Sequence, residues 1–146
     1  MLALGGVGLF HLSAKADTLR LLSKSLKHDI EFTFSVGEDD RGNETHKIWV
    51  KAKDSKVEKE LNRIFSDVED IDINASDNCV NVTLPDGVSM FLSWEFEDEI
   101  MMTLKGRISK QTKNSFNGIY ELGDIGLNIG AKSNTVQLTL GMNQKN

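Results

Sequence analysis

Apolar positions along this 146-residue chain recur with two periods, one helical and one of two residues, and the change between them marks out the elements. In "AKADTLRLLSKSLK", Leu19, Leu22 and Leu26 fall on one helical face while Arg20, Lys24 and Lys27 stay polar, with Ser13 placed to cap the start. "DIEFTFSVG" then alternates strictly, with Ile30, Phe32, Phe34 and Val36 on one side and Glu31, Thr33 and Ser35 on the other, as a half-buried strand requires. A polar run, "GEDDRGNET", predicts a long hairpin loop into a second strand. There Ile48, Val50 and Ala52 face in, and Lys47, Trp49, Lys51 and Lys53 face out.

The helical period returns once. Val57, Leu61, Ile64 and Phe65 form an apolar stripe, and Ser55 with Glu58 spells an S-x-x-E capping box at its start. From Val68 onward the period is two almost throughout. "NVTLPDGVSMFLSWEF" carries a Pro-Asp-Gly turn between strands, and "EIMMTLKGRI" reads as the next one. Three short runs follow, "NGIYELG", "DIGLNIG" and "NTVQLTLG", the last two paired as a hairpin around residues 132 to 134.

Helix, two strands, helix, then six or seven strands joined by short turns imply one α+β domain over residues 1–146. Its expected form is a curved, mainly antiparallel sheet or partial barrel with two amphipathic helices packed on one face. The length is sufficient for a core without disulfides, and the single Cys79 rules out an intrachain one, so a reducing, cytoplasmic setting is the simpler expectation. Secretion is the lesser alternative. The opening "MLALGGVGLFHLSAKAD" has an A-x-A arrangement at Ala14 and Ala16, but no basic residue precedes its apolar run and three glycines interrupt it. Sequons at Asn43, Asn74 and Asn81 add little, and no stretch approaches a membrane span.

Charge is the most uneven property. The net charge of -5 resolves into +1 over residues 1–65, -10 over residues 66–104 and +4 over residues 105–146. The central block contains ten Asp or Glu and no Lys or Arg. Part of it, "DVEDIDINASDN", resembles a cation loop in composition only. Counted from Asp70, the sixth position is Ala75 rather than Gly and the twelfth is Asn81 rather than Glu, so the pattern is that of a strand with one wet face followed by a turn at "ASDN".

No catalytic signature emerges. Glu95 and Glu97 have the spacing of a carboxylate pair on one strand face but border "EDE", which reads as a solvated turn. His11, His28, His46 and Cys79 share no metal-ligand spacing, and neither G-x-S-x-G nor Cys-x-x-Cys occurs. Neither a cofactor nor a metal is implied.

The first functional expectation is therefore a small non-catalytic module of the inhibitor, immunity or adaptor type. It presents Asp67, Glu69, Asp70, Asp72, Glu95, Glu97, Asp98 and Glu99 to a basic protein partner. The alternative is single-stranded nucleic acid gripped by Lys47, Trp49, Lys51 and Lys53, with "KGRISKQTK" as a second basic stretch. A small-molecule binder or enzyme with a pocket between sheet and helices comes third.

Overall fold

The computed structural model describes residues 20, 24, 29–109, 114–129 and 135–144. Eight antiparallel strands make a single sheet: β1 (Ile30–Glu38), β2 (Glu44–Ala52), β3 (Asp70–Asn74), β4 (Cys79–Leu84), β5 (Val88–Phe96), β6 (Met101–Ser109), β7 (Asn114–Ile129) and β8 (Val136–Gln144). Their spatial order, β2-β1-β8-β7-β6-β5-β4-β3, is that of an up-and-down meander whose last strand returns to pair with its first. The sheet does not close. Its edge strands β2 and β3 come into contact, but helix α1 (Ser55–Ile64) and a 3₁₀ turn (Phe65–Asp67) occupy the connection where a ladder would complete a barrel.

The expectation of a mainly antiparallel sheet holds, and that of two helices holds in part. Among the described residues α1 is the one α-helix with defined bounds. The helix expected over residues 14–27 lies outside the described residues except for Arg20 and Lys24, both helical. The long loop between the first two strands shrinks to a turn at residues 39–43. There the Asp39 carboxylate accepts hydrogen bonds from the amides of Arg41 and Asn43, both at 2.9 Å, so polar residues on either side can continue the ladder. The hydrogen bond donated by the Asn43 backbone amide is the main reason the Asp39 carboxyl is held below its ordinary value.

The inner face of the sheet explains the period of two. Ile30, Phe32, Phe34, Ile48, Val50, Val80, Val82, Met90, Leu92, Trp94, Met102, Leu104, Leu138, Leu140 and Met142 are all buried there. Leu61 and Phe65 seal the open side, Phe65 meeting Phe32 edge-on at 6.4 Å between ring centres. Two bare positions are filled by aromatics. A Cβ at Gly106 would collide with the Phe116 ring, and one at Gly118 would come within 2.8 Å of the Tyr120 hydroxyl.

The capping box is corrected in detail. Asp54, one residue earlier than expected, caps α1 by accepting from the amides of Lys56 (2.9 Å) and Val57 (3.3 Å). Glu58 does not turn back to Ser55. Its Oε1 accepts from the Ala52 amide at 3.1 Å, while the Asn62 carboxamide accepts from the Val50 amide (2.8 Å) and donates to the Val50 carbonyl (3.0 Å). The helix thereby supplies side-chain groups to the free edge of β2 in place of a neighbouring strand.

"NGIYELG" and "DIGLNIG", expected as separate runs, form one sixteen-residue strand. Leu122 pairs with Met142, but the next paired residue, Ile125, meets Leu140, so β7 holds one extra residue at this point. The inward set changes from even positions (Phe116, Gly118, Tyr120) to odd ones (Ile125, Leu127, Ile129). Gly123 allows the close approach, since a Cβ there would lie 2.6 Å from the Gly141 carbonyl oxygen. Beyond Glu121, β7 runs past its ladder with β6, and Leu127 and Ile129 are 45% and 75% exposed despite their inward register.

Candidate functional site

The acidic block occupies the β3 side of the sheet. β3 is the strand expected of "DIDIN": Ile71 is buried and Asp70 and Asp72 are exposed, and residues 75–78 form the turn. Asp67 ends the 3₁₀ turn, Glu69 precedes β3, and both are exposed. Glu95 is exposed at the end of β5, whereas Glu97, Asp98 and Glu99 lie beyond that strand in the β5–β6 turn. Glu95 and Glu97 are thus divided between strand and turn, and the turn expected at "EDE" is present.

Two of the turn acids have structural work. Asp98 Oδ1 accepts from the amides of Ile100 (2.8 Å) and Met101 (2.9 Å), and Glu97 Oε1 accepts from the Thr103 hydroxyl at 2.6 Å. Asp67, Glu69, Asp72, Glu95 and Glu99 make no side-chain hydrogen bond or ion pair among the described residues. The register separates the acids into two groups. Asp70 shares a row with Thr83, Ser89 and Ser109, and Glu95 lies six residues farther along β5 than Ser89, ~20 Å of strand rise.

Among the described residues, no Lys or Arg forms an ion pair with an acid of β3. Lys105 stands opposite Ser93 and Asn117, and Arg107 opposite Phe91 and Ser115, three strand spacings or ~14 Å from β3. The Arg107 guanidinium lies over the Phe91 ring at 4.8 Å. The acidic field also reaches Cys79 at the start of β4, whose thiol pKa is raised first by burial and then by the charges of Asp77 and Asp72.

At the opposite edge, Lys47, Trp49 and Lys51 share the outward face of β2, Lys53 follows it, and Trp49 is 38% exposed. Acids interleave with these cations. Lys51 is directly opposite Glu31, and Lys53 Nζ lies 2.6 Å from Asp29 Oδ2, a hydrogen bond and charge pair that raises the lysine pKa. Thr33, in register with Trp49, is buried despite its outward position, with its hydroxyl 3.3 Å from that of Thr139.

Leu61 and Phe65 pack into the buried core of the sheet, and a surface groove of about 590 Å³ opens where β1, β2, β7 and β8 reach the start of α1. Its walls include Asp29, Glu31, Lys51, Lys53, Glu58 and Glu121, with Gly123 and Gly141 among its lining residues. Among the described residues, no three His, Cys, Asp or Glu side chains converge as a metal site would need, and no helix is long and apolar enough to cross a membrane.

Sequence reasoning did not foresee His46 at the open seam. Its ring is 12% exposed, and Nε2 lies 3.1 Å from Asp70 Oδ1 on β3 and 3.6 Å from Glu44 Oε1 on its own strand. The signal was present in the alternation, because His46 shares the inward register of Ile48, Val50 and Ala52.

These features define a meander-sheet protein with an acidic edge, a lysine-bearing edge and a helix-filled gap between them. Comparison with protein-family models, with curated proteins and with solved structures finds no match.

Proposed function

We propose that this protein is a non-catalytic binding module that receives a basic protein partner on the β3 side of its sheet. The observation that supports this reading is the run of exposed acids Asp67, Glu69, Asp70 and Asp72 leading into and along the short edge strand β3, where among the described residues the imidazole of His46, beside Asp70, is the one basic group within ion-pair distance and Lys105 and Arg107 lie three strands away. Such a one-sign surface acts through long-range steering, so it favours rapid, salt-sensitive association with a partner rich in Lys and Arg. Glu95 and Glu99 extend the field at the other end. Glu97 and Asp98 contribute charge while holding their turn.

The test compares native-host proteins captured by the wild type and by a variant with Asp67, Glu69, Asp70 and Asp72 changed to Ser, after equal thermal stability has been checked. A basic protein retained by the wild type in low salt should bind the variant with an on-rate lower by about tenfold or more. A partner bound equally by both would overturn the assignment of this edge.

The exposed Trp49 among Lys47, Lys51 and Lys53 supports a second reading, stacking and phosphate contact with single-stranded nucleic acid. Trp94 is buried and Trp49 is half exposed, so quenching of the red-shifted emission by an oligonucleotide in low salt would report Trp49 specifically. Unchanged emission together with no mobility shift would exclude this reading.

A further inference from the structure

We propose that the edge of β7 beyond Glu121 takes up an extended, cationic segment of a protein partner as an added strand. β6 begins at Met101, opposite Glu121, so residues 122–129 of β7 run along β8 on one side while no described strand pairs with them on the other. The backbone on that side is an edge additional to β2 and β3, set within the order of the sheet rather than at its ends.

The surroundings of this edge fit an incoming strand. Ile125, Leu127 and Ile129 share one face, and Leu127 and Ile129 remain exposed. The β5–β6 turn stands in line with β6, beside the start of the edge, and brings Phe96 and Ile100, which are also exposed. Four of the six exposed large apolar side chains among the described residues therefore lie on or beside one length of strand edge. On the opposite face a Cβ at Gly126 would meet nothing within 4 Å, so the side chains of an added strand have room there.

Charge chooses the occupant. Glu97, Asp98 and Glu99 are exposed in the same turn, at the end of the slot that the added strand would fill. A second copy of this chain would bring its own net charge of -5 to that acidic end, whereas Lys or Arg side chains would meet it favourably. The fitting segment alternates, with apolar side chains over Leu127 and Ile129 and cationic ones between water and the turn acids. Main-chain hydrogen bonds supply its affinity, and the alternation its selectivity. Occupation of this edge does not require a partner at β3.

The test uses the full chain and two synthetic peptides of about eight residues, one alternating Val and Lys and one with the same residues in two blocks. With the alternating peptide at about ten times its dissociation constant, amide exchange over residues 122–129 should slow by about tenfold while β3 is unchanged. The block peptide should bind about tenfold more weakly. Leu127→Lys combined with Ile129→Lys, both at exposed positions, should weaken binding of the alternating peptide by about tenfold or more. The variant with Asp67, Glu69, Asp70 and Asp72 changed to Ser should bind that peptide within about twofold of the wild type, which separates this edge from β3. Absence of binding, protection appearing at β3 instead, equal binding of the block peptide, or wild-type self-association abolished by the double Lys variant would overturn the proposal.

Discussion

β7 divides the sheet into halves that solve one problem in different ways. On one side, β8, β1 and β2 end in a long edge whose Val50 and Ala52 groups are bonded by Asn62 and Glu58 of α1. On the other, β6, β5, β4 and β3 end in a five-residue edge bearing Asp70 and Asp72, to which no helix is bonded in this way among the described residues. An unpaired edge invites another strand, and proteins commonly guard it by covering it or by charging it. This chain does both. The covered edge is available to little else, whereas charge that discourages a like edge can attract a basic surface.

The largest test of this contrast is to remove the helix's anchor. Leu61 is fully buried, and Leu61→Ala should destabilise the protein by about 2–5 kcal/mol through lost burial and a residual cavity. Denaturant unfolding measures the loss, and exchange should show β2 deprotected before β4 and β5. A uniform loss would show that the helix does not protect β2 selectively.

Asn62→Ala is smaller and more specific. It leaves the Val50 amide and carbonyl without their partner and should cost about 1–3 kcal/mol, with the Val50 amide exchanging faster. A Val50 amide as protected as before would remove the pseudo-strand role.

Tyr120 tests the strand that both halves share. Burial pushes its phenol up to about 12, and it is the chain's only tyrosine, so tyrosinate absorbance reads it without interference. Its folded pKa exceeds the ordinary value near 10, so its linkage leaves stability unchanged below that value and reduces it as pH rises from there toward about 12. Tyrosinate forming near pH 10 in the folded protein would place the ring in a wetter setting.

The smallest expected effect is on the acidic side. Asp72→Asn should speed Cys79 alkylation at mildly alkaline pH by less than about threefold, because burial is the leading cause of the raised thiol pKa and Asp72 the least of its three causes. A rate that also ignores Asp77→Asn would assign the shift to burial alone.

The individual strands were legible because inward and outward residues alternate, and the helix because Val57, Leu61 and Ile64 share a face. The joins were less legible. At the β7 bulge, one residue inverts the parity, and Gly123, which permits the close approach to Gly141, has the same appearance as a turn glycine in one dimension. Asn62 lies beside the helix's apolar stripe, one turn from Glu58, but only the position of β2 gives that pair its meaning. The acidic block was visible as composition. Its division into an edge and a distant turn depended on strand register, and the approach of His46 to Asp70 depended on the sheet curling back on itself.

The return of β8 to β1 also bears on how the chain assembles in time. Every other ladder joins strands consecutive along the chain, and the Asn62–Val50 bonds span only 12 residues; Thr33 and Thr139, across the β1–β8 ladder, are 106 positions apart. The β1–β2–α1 segment and the β3-to-β8 meander can each begin from local contacts, so the main cost in loop-closure entropy is concentrated in one late meeting between the two ends of the fold.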